Sequence, residues 1–464
     1  MALSRAVCLT LFAAAWIAAC SSSSGPANTS LLIVGGNQQS DTIGATLPQA
    51  LEIHAGAHQS VEFQSVPGTC QASIAGVSDI VDSTDANGNA SVRVQLGATT
   101  GTAKIAIRVV GRGTPDTARF TVNPGHLAGL SISPSDTAVF VNHAVPLSAW
   151  GVDRIGNHRP DAISLTVASG AATASGKTIT PNDVGRVVVV GSVGVFVDTA
   201  YVSAVPPGVI AAAGDLGIVM FNLDGSGLTT IAHVPAVTVR WAPSGTRLVF
   251  TPYGTPTGYL EATDLSGNIT LLDSSSVYSD QKAMYSHDGA WIYLSRMSIA
   301  YPPVGKSSLW RMHPDGSGLA ALSLQDTLSA AFPSPSPDGT ELAYVADPNG
   351  TAAVHVMTLA TGAFQTLGLI STDPAWSPTG NTIAIIVSIY APGPLALTNL
   401  QGGGAGLSSS NYLGDFDWSP DGQWLVAADA ATGRLDLISA SLGTILPLPF
   451  TAGQSYVSPT WKPK

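Results

Sequence analysis

Asp415 and Asp417 stand two apart in an apolar run, and paired carboxylates can act as acid and base or hold a cation. They occupy alternate positions of one strand, however, and acidic rims of this kind are common solvated features. A search for a nucleophile is negative. No Gly-x-Ser-x-Gly elbow occurs, and no helical α/β pattern follows. His287 and His313 fall in hairpin turns and His233 follows a strand, so neither these nor His355 pairs with a base or a metal partner. The Gly402-Gly403-Gly404 run lies in a hairpin rather than between strand and helix, which argues against a phosphate loop. Asp85-Ala86-Asn87-Gly88-Asn89 places oxygen ligands at alternate positions, as Ca²⁺ binding requires, but no bidentate Glu follows. A hairpin turn using Asn and Gly is the favoured reading there. His54 and His58 have zinc-like spacing only on a helix, and no helical signal surrounds them. Neither a metal nor a cofactor is expected.

The elements that must position these residues are strands. Charged residues make up 11% of the 464, against 49 Gly and 31 Pro, a balance that suits short strands joined by tight turns. With 45% hydrophobic residues the chain is not disordered, and its length predicts two to four domains. A formal charge of −11 argues against nucleic acid as a partner. Of the three cysteines, Cys8 and Cys20 belong to the N-terminal segment, so Cys70 has no evident disulfide partner and reads as a small apolar residue.

Met1 to Cys20 carries one basic residue, Arg5, and then an apolar run too short to span a bilayer. Its end, Ile17-Ala18-Ala19-Cys20, resembles a bacterial lipobox, with Ile17 in place of the usual leucine. The resemblance implies a signal peptide over 1–19, cleavage before Cys20 and lipidation of that cysteine. Ser21 to Pro26 reads as a flexible tether within 20–30. Several acyl chains give lasting attachment where one would not. Ser21 after the cysteine favours an outer membrane.

Residues 31–124 read as alternating strands. Val92, Val94 and Leu96 share one face of Ala90–Leu96, and Ile105, Ile107 and Val109 point inward from Lys104–Val109. With Gln39, Gly44, Leu47 and Pro48, they resemble bacterial Ig-like domains of the intimin/invasin type, although the stretch from Pro48 to Val77 is short for that pattern. A second unit, 125–206, has strands near Leu130, Ile163–Val167 and Val187–Val190, and a turn at Asp153, Gly156 and Asn157. It is similar to group-2 Ig-like domains, which imply a spacer or adhesive module. Val205-Pro206-Pro207-Gly208 makes a stiff junction.

From 207 to 464 a turn recurs: Trp241-Ala242-Pro243-Ser244-Gly245, Tyr285 to Gly289, Pro335 to Gly339, Trp376 to Gly380, Trp418 to Gly422, and a last fragment at Trp461. A spacing of roughly 40–50 residues is that of a four-stranded propeller blade. Pro fixes one corner of the turn, Asp or Ser bonds back to the backbone, Gly supplies positive φ, and the aromatic residue wedges between blades. The pattern resembles the WD40-like repeat of the TolB propeller family. The fold expected is therefore all-β, two Ig-like sandwiches followed by a six-bladed propeller closed by strand exchange, with the strand at Tyr456–Trp461 completing the first blade. The resemblance also implies that the strand before each turn lines the channel, which makes Arg240, Lys282, Asp373, Asp415 and Asp417 the candidate ligand-binding residues. The sequence favours binding over catalysis. The expected protein is a lipid-anchored cell-envelope platform for a protein, peptide or glycan. The alternative is an extracytoplasmic hydrolase or lyase acting on cell-wall or extracellular polymer at the channel mouth.

Overall fold

The computed structural model describes residues 30–464 apart from 69, 215, 255–258, 300–305, 323–328, 347–351, 389–391 and 402. The lipobox and Cys20 thus lie outside the described residues. Among the described residues regular structure is strand throughout, save one 3₁₀ turn at Pro449–Thr451. The described residues divide into two compact units, one within 30–129 with 152–159, and one within 130–151 with 160–464. The division falls inside the stretch expected to form a second domain.

The first unit contains a three-stranded sheet (Leu32–Gly35, Leu51–His54, Asn89–Val92) and a five-stranded one running from Ser40–Thr42 to Asp79–Ser83. Alternation builds its core: Ala103, Ile105 and Ile107 of Gly101–Val109 are buried, as are Phe63 and Phe120 opposite them. Val109 is only partly buried. The expected strand Ala90–Leu96 is broken at Arg93. Its first half pairs with Leu51–His54 and its second with Ala72–Ile74, so Val92, Val94 and Leu96 enter one core from two sheets. Asp85–Asn89 closes as a turn, with Asp85 Oδ1 accepting from the amides of Asn87 and Asn89 at 2.8 Å. In the turn at Asp153, burial acts to raise the carboxyl, but hydrogen bonds from Asn157, Gly125 and Ile155 hold it at about 2.

The second unit begins with a four-stranded sheet in which Asp136–Phe140, Phe196–Val205, Gly185–Val193 and Ser164–Ser169 are neighbours. Beyond it lie four four-stranded antiparallel sheets and one of seven strands, each built on the recurring turn. In these turns the glycine amide donates back three residues, as from Gly422 to Ser419 O at 2.8 Å, and Gly422 has φ +68°. Asp421 Oδ1 accepts from Ser419 Oγ and Gln423 N, which is the bond-back expected of that position. In the seven-stranded sheet one long strand, Gly404–Trp418, pairs first with Gly393–Thr398 and then with Trp424–Asp429.

The last strand, Val457–Trp461, pairs antiparallel with Val209–Gly214, matching Ile210 to Trp461 and Ala211 to Thr460. The two ends of the segment thus share one sheet, and the edges both would otherwise expose are paired. Val205, Phe221, Val426, Leu437, Leu448 and Trp461 are buried in one cluster, against which Ala138 and Phe140 pack. The preceding sheet is therefore docked on this seam, and the junction at Val205 is buried.

Candidate functional site

The strands Ala236–Trp241, Tyr278–Tyr285, Ala330–Pro335, Thr372–Trp376, Gly404–Trp418 and Val457–Trp461 each end on the aromatic or proline residue of a turn, and in all but the first the third residue before that end has an irregular backbone. Lys282, Phe332, Asp373, Asp415 and Ser458 all have φ between +47° and +59°, beside shifts in the pairing register. Such a conformation costs a non-glycine residue about 1–3 kcal/mol and persists only where the surroundings over-determine it. Here it turns side chains out of their ladders and toward one another.

Four of the five residues predicted from sequence meet at this level. Lys282 Nζ bridges Asp373 and Asp415, lying 2.5 Å from Asp415 Oδ1, and Arg240 reaches the same oxygen at 3.0 Å. Arg240 also donates to Val239 O at 2.8 Å and Ser458 Oγ at 2.9 Å, and Lys282 Nζ sits 4.9 Å from the centre of the Phe332 ring. Two cations face two carboxylates, so the quartet is neutral within itself. Burial alone would lower the lysine and raise the aspartate. The paired charges win in both, lifting Lys282 and holding Asp415 below the usual carboxylate range. The cavity left among them is about 20 Å³, room for about one water molecule.

Asp417 is placed differently. It accepts from Thr460 Oγ1 at 2.7 Å and from the amides of Trp461 and Trp418 at 2.9 Å. Burial pushes its carboxyl up, opposed by Arg240 and these donors. With Arg240 it lines a separate cavity of about 450 Å³ on the turn side of the quartet. The walls are the turn residues themselves, Trp241, Tyr285, Trp376, Trp418 and Trp461, with prolines of the same turns and His287. The sequence marked these aromatic residues as wedges between sheets, and they are that as well: Trp418 Nε1 donates across to Ala375 O at 3.0 Å. Their second role, as walls of a funnel, follows from the ring arrangement and has no separate signal in any one repeat.

Sequence reasoning missed a second buried ionic cluster. Arg296 lies 2.6 Å from Asp273 and 2.7 Å from Asp280, with its guanidinium over the rings of Tyr278 and Trp310. Its members come from separate strands and form no motif. Among the described residues no group of three His, Cys, Asp or Glu side chains could hold a metal ion.

No family profile matches the chain. It is similar in structure to TolB from Acinetobacter baumannii, at 16% identity and a TM-score of 0.47, covering 65% of this chain and 83% of that one. A nidogen/laminin complex matches at 12% identity and a TM-score of 0.45, covering 55% of this chain and 98% of that one. An oligogalacturonate lyase in complex with manganese matches at 13% identity and a TM-score of 0.39, covering 64% of this chain and 97% of that one. The chain is all-β, and TolB proteins are among the structures it is similar to.

Proposed function

We propose that this protein is a cell-envelope binding platform, attached to a membrane through Cys20, in which two Ig-like modules carry a six-bladed propeller. The five sheets count as six blades if Gly404–Trp418 is the outer strand of one blade and the inner strand of the next. The observation that carries the binding reading is the funnel. It offers about 450 Å³ between aromatic and proline walls, within the range of small ligand clefts, and Arg240 in its lining is already paired with Asp415. A segment of a protein, peptide or glycan would be held there chiefly by ring surface. Catalysis would need charges free to change partners, and Lys282, Arg240, Asp373 and Asp415 are committed to each other. The extracytoplasmic, outer-membrane location rests on the lipobox resemblance. Among the described residues no helix is long and apolar enough to cross a membrane.

The test is crosslinking of the full chain in intact cells, followed by mass spectrometry. A reproducible partner, lost when Trp376 and Trp418 are both changed to Ala in a variant that still folds, supports the platform. Turnover of a cell-wall or extracellular polymer by the purified protein would instead establish the hydrolase or lyase.

A further inference from the structure

We propose that Asp273, Asp280 and Arg296 form a proton-operated latch between two neighbouring sheets, closed while the carboxyls share one proton and loosened when it leaves. Asp273 belongs to Ile269–Ser274, the outermost strand of one sheet. Asp280 lies on Tyr278–Tyr285, the innermost strand of the next, and Arg296 on its neighbour Ile292–Ser298. The guanidinium therefore spans the seam, 2.6 Å from one carboxylate and 2.7 Å from the other.

The count of charges is what makes this a switch. One cation faces two carboxylates, and Asp280 is wholly buried with Oδ2 lacking any hydrogen-bond partner. Two ionised carboxylates here would bury an uncompensated negative charge, which proteins avoid by keeping a proton. A proton shared between the two aspartates removes that excess and gives the carboxyl pair a hydrogen bond. Burial, and then the Asp273 carboxyl within hydrogen-bonding reach, raise Asp280 to about 8 against the opposing pull of Arg296.

Among the described residues, the other strands packed on Tyr278–Tyr285 bring no competing partner. Arg240 is committed to Asp415, Arg247 reaches Pro314 O, and Asp264 bonds Asn268. Burial raises the Glu261 carboxyl, and the strand Ala330–Pro335 carries no charged residue. Trp310 and Tyr278 cover the guanidinium with their rings. The latch sits at the end of Tyr278–Tyr285 away from the funnel. That strand also carries Lys282 of the quartet and Tyr285 of the funnel wall, so loosening the seam reaches both.

The sign follows from linkage. The folded cluster keeps a proton that an unfolded aspartate, near 3.8, has released, so stability is fully present below 3.8 and is lost as pH rises toward 8. The experiment is hydrogen exchange on the full-length protein between pH 5 and 7, read as protection factors for 269–285 after correction for the intrinsic pH dependence. One proton released on opening predicts a fall of about tenfold per pH unit in the native protein. Asp280→Asn, which mimics the protonated form, should flatten that slope. Asp273→Asn, which leaves Asp280 a private cation, should do the same. A flat native profile, or the native slope kept in a folded variant, overturns the latch. Should Asp280→Asn fail to fold, the native profile and Asp273→Asn still decide.

Discussion

One strand, Tyr278–Tyr285, supplies a residue to each of two buried ionic clusters, and the two behave in opposite ways. At Lys282 two cations meet two carboxylates, and Asp415 is held below its ordinary range. Two residues away, at Asp280, one cation meets two carboxylates, and the carboxyl is pushed up to about 8. Burial is near complete in both, so depth does not separate them. The ratio of cations to carboxylates does. A balanced cluster can stay fully ionised in a dry interior, whereas an unbalanced one must keep a proton or open.

The comparison has a consequence for pH. Asp415 has a lowered folded pKa, so its contribution is present above its ordinary 3.8 and is lost as pH falls through the folded value. Asp280 is raised, so its contribution is lost as pH rises. The two clusters therefore limit stability from opposite sides. Asp415→Asn should remove part of the acid limb of the stability profile and Asp280→Asn part of the limb above pH 4, each leaving the other's limb intact.

The largest expected effect comes from removing residues 455–464. That deletion takes away the strand paired with Val209–Gly214, the Ser458 partner of Arg240 and the Thr460 partner of Asp417. The product should aggregate, with no cooperative melting transition; unchanged melting and solubility would refute closure by this strand. Next, Asp415→Ala leaves Arg240 and Lys282 short of their shared carboxylate in a buried site. It should cost about 3–5 kcal/mol in chemical denaturation. A smaller loss, about 1.5–3 kcal/mol, is expected for Ser458→Ala, which removes the hydroxyl that accepts from the Arg240 guanidinium and the Val239 amide. Last, Asp280→Asn should cause no loss at neutral pH. The folded protein no longer has to hold a proton that the unfolded carboxyl has released, so the variant should be more stable than the native protein at pH 7, with the gain shrinking as pH falls toward 4. A loss as large as that of Asp415→Ala would erase the distinction between the clusters.

Much of the architecture was legible because the turn chemistry repeats. Pro, Asp and Gly at fixed offsets have conformational consequences that hold wherever they occur, and Gly245, Gly289, Gly339, Gly380 and Gly422 all show the positive φ that the pattern requires. That Arg240, Lys282, Asp373 and Asp415 lie on the strands preceding the turns was expected from the resemblance, which puts those strands along the channel. Their mutual neutralisation was not, because pairing depends on which blades are neighbours across the axis, and Lys282 and Asp373 are 91 residues apart. Nor do the bulges announce themselves. Nothing local marks Lys282 or Phe332 for a left-handed backbone, which tertiary packing imposes. The break at Arg93 has the same origin, since alternation fixes which side chains are buried but not which sheet each half joins. Asp280 was invisible for a related reason. An aspartate in a strand as polar as Tyr278–Tyr285 looks like a surface residue until Asp273 and Arg296 are seen around it.

The central claim is that the aromatic funnel is the working surface. It is tested most directly by placing a photo-crosslinking amino acid at His287, an exposed funnel residue, and at Val195, which is 89% exposed and does not line the funnel. After irradiation of intact cells, the funnel reading predicts a discrete adduct from position 287 and none from position 195. Adducts from position 195 alone would contradict it and move the binding surface off the propeller.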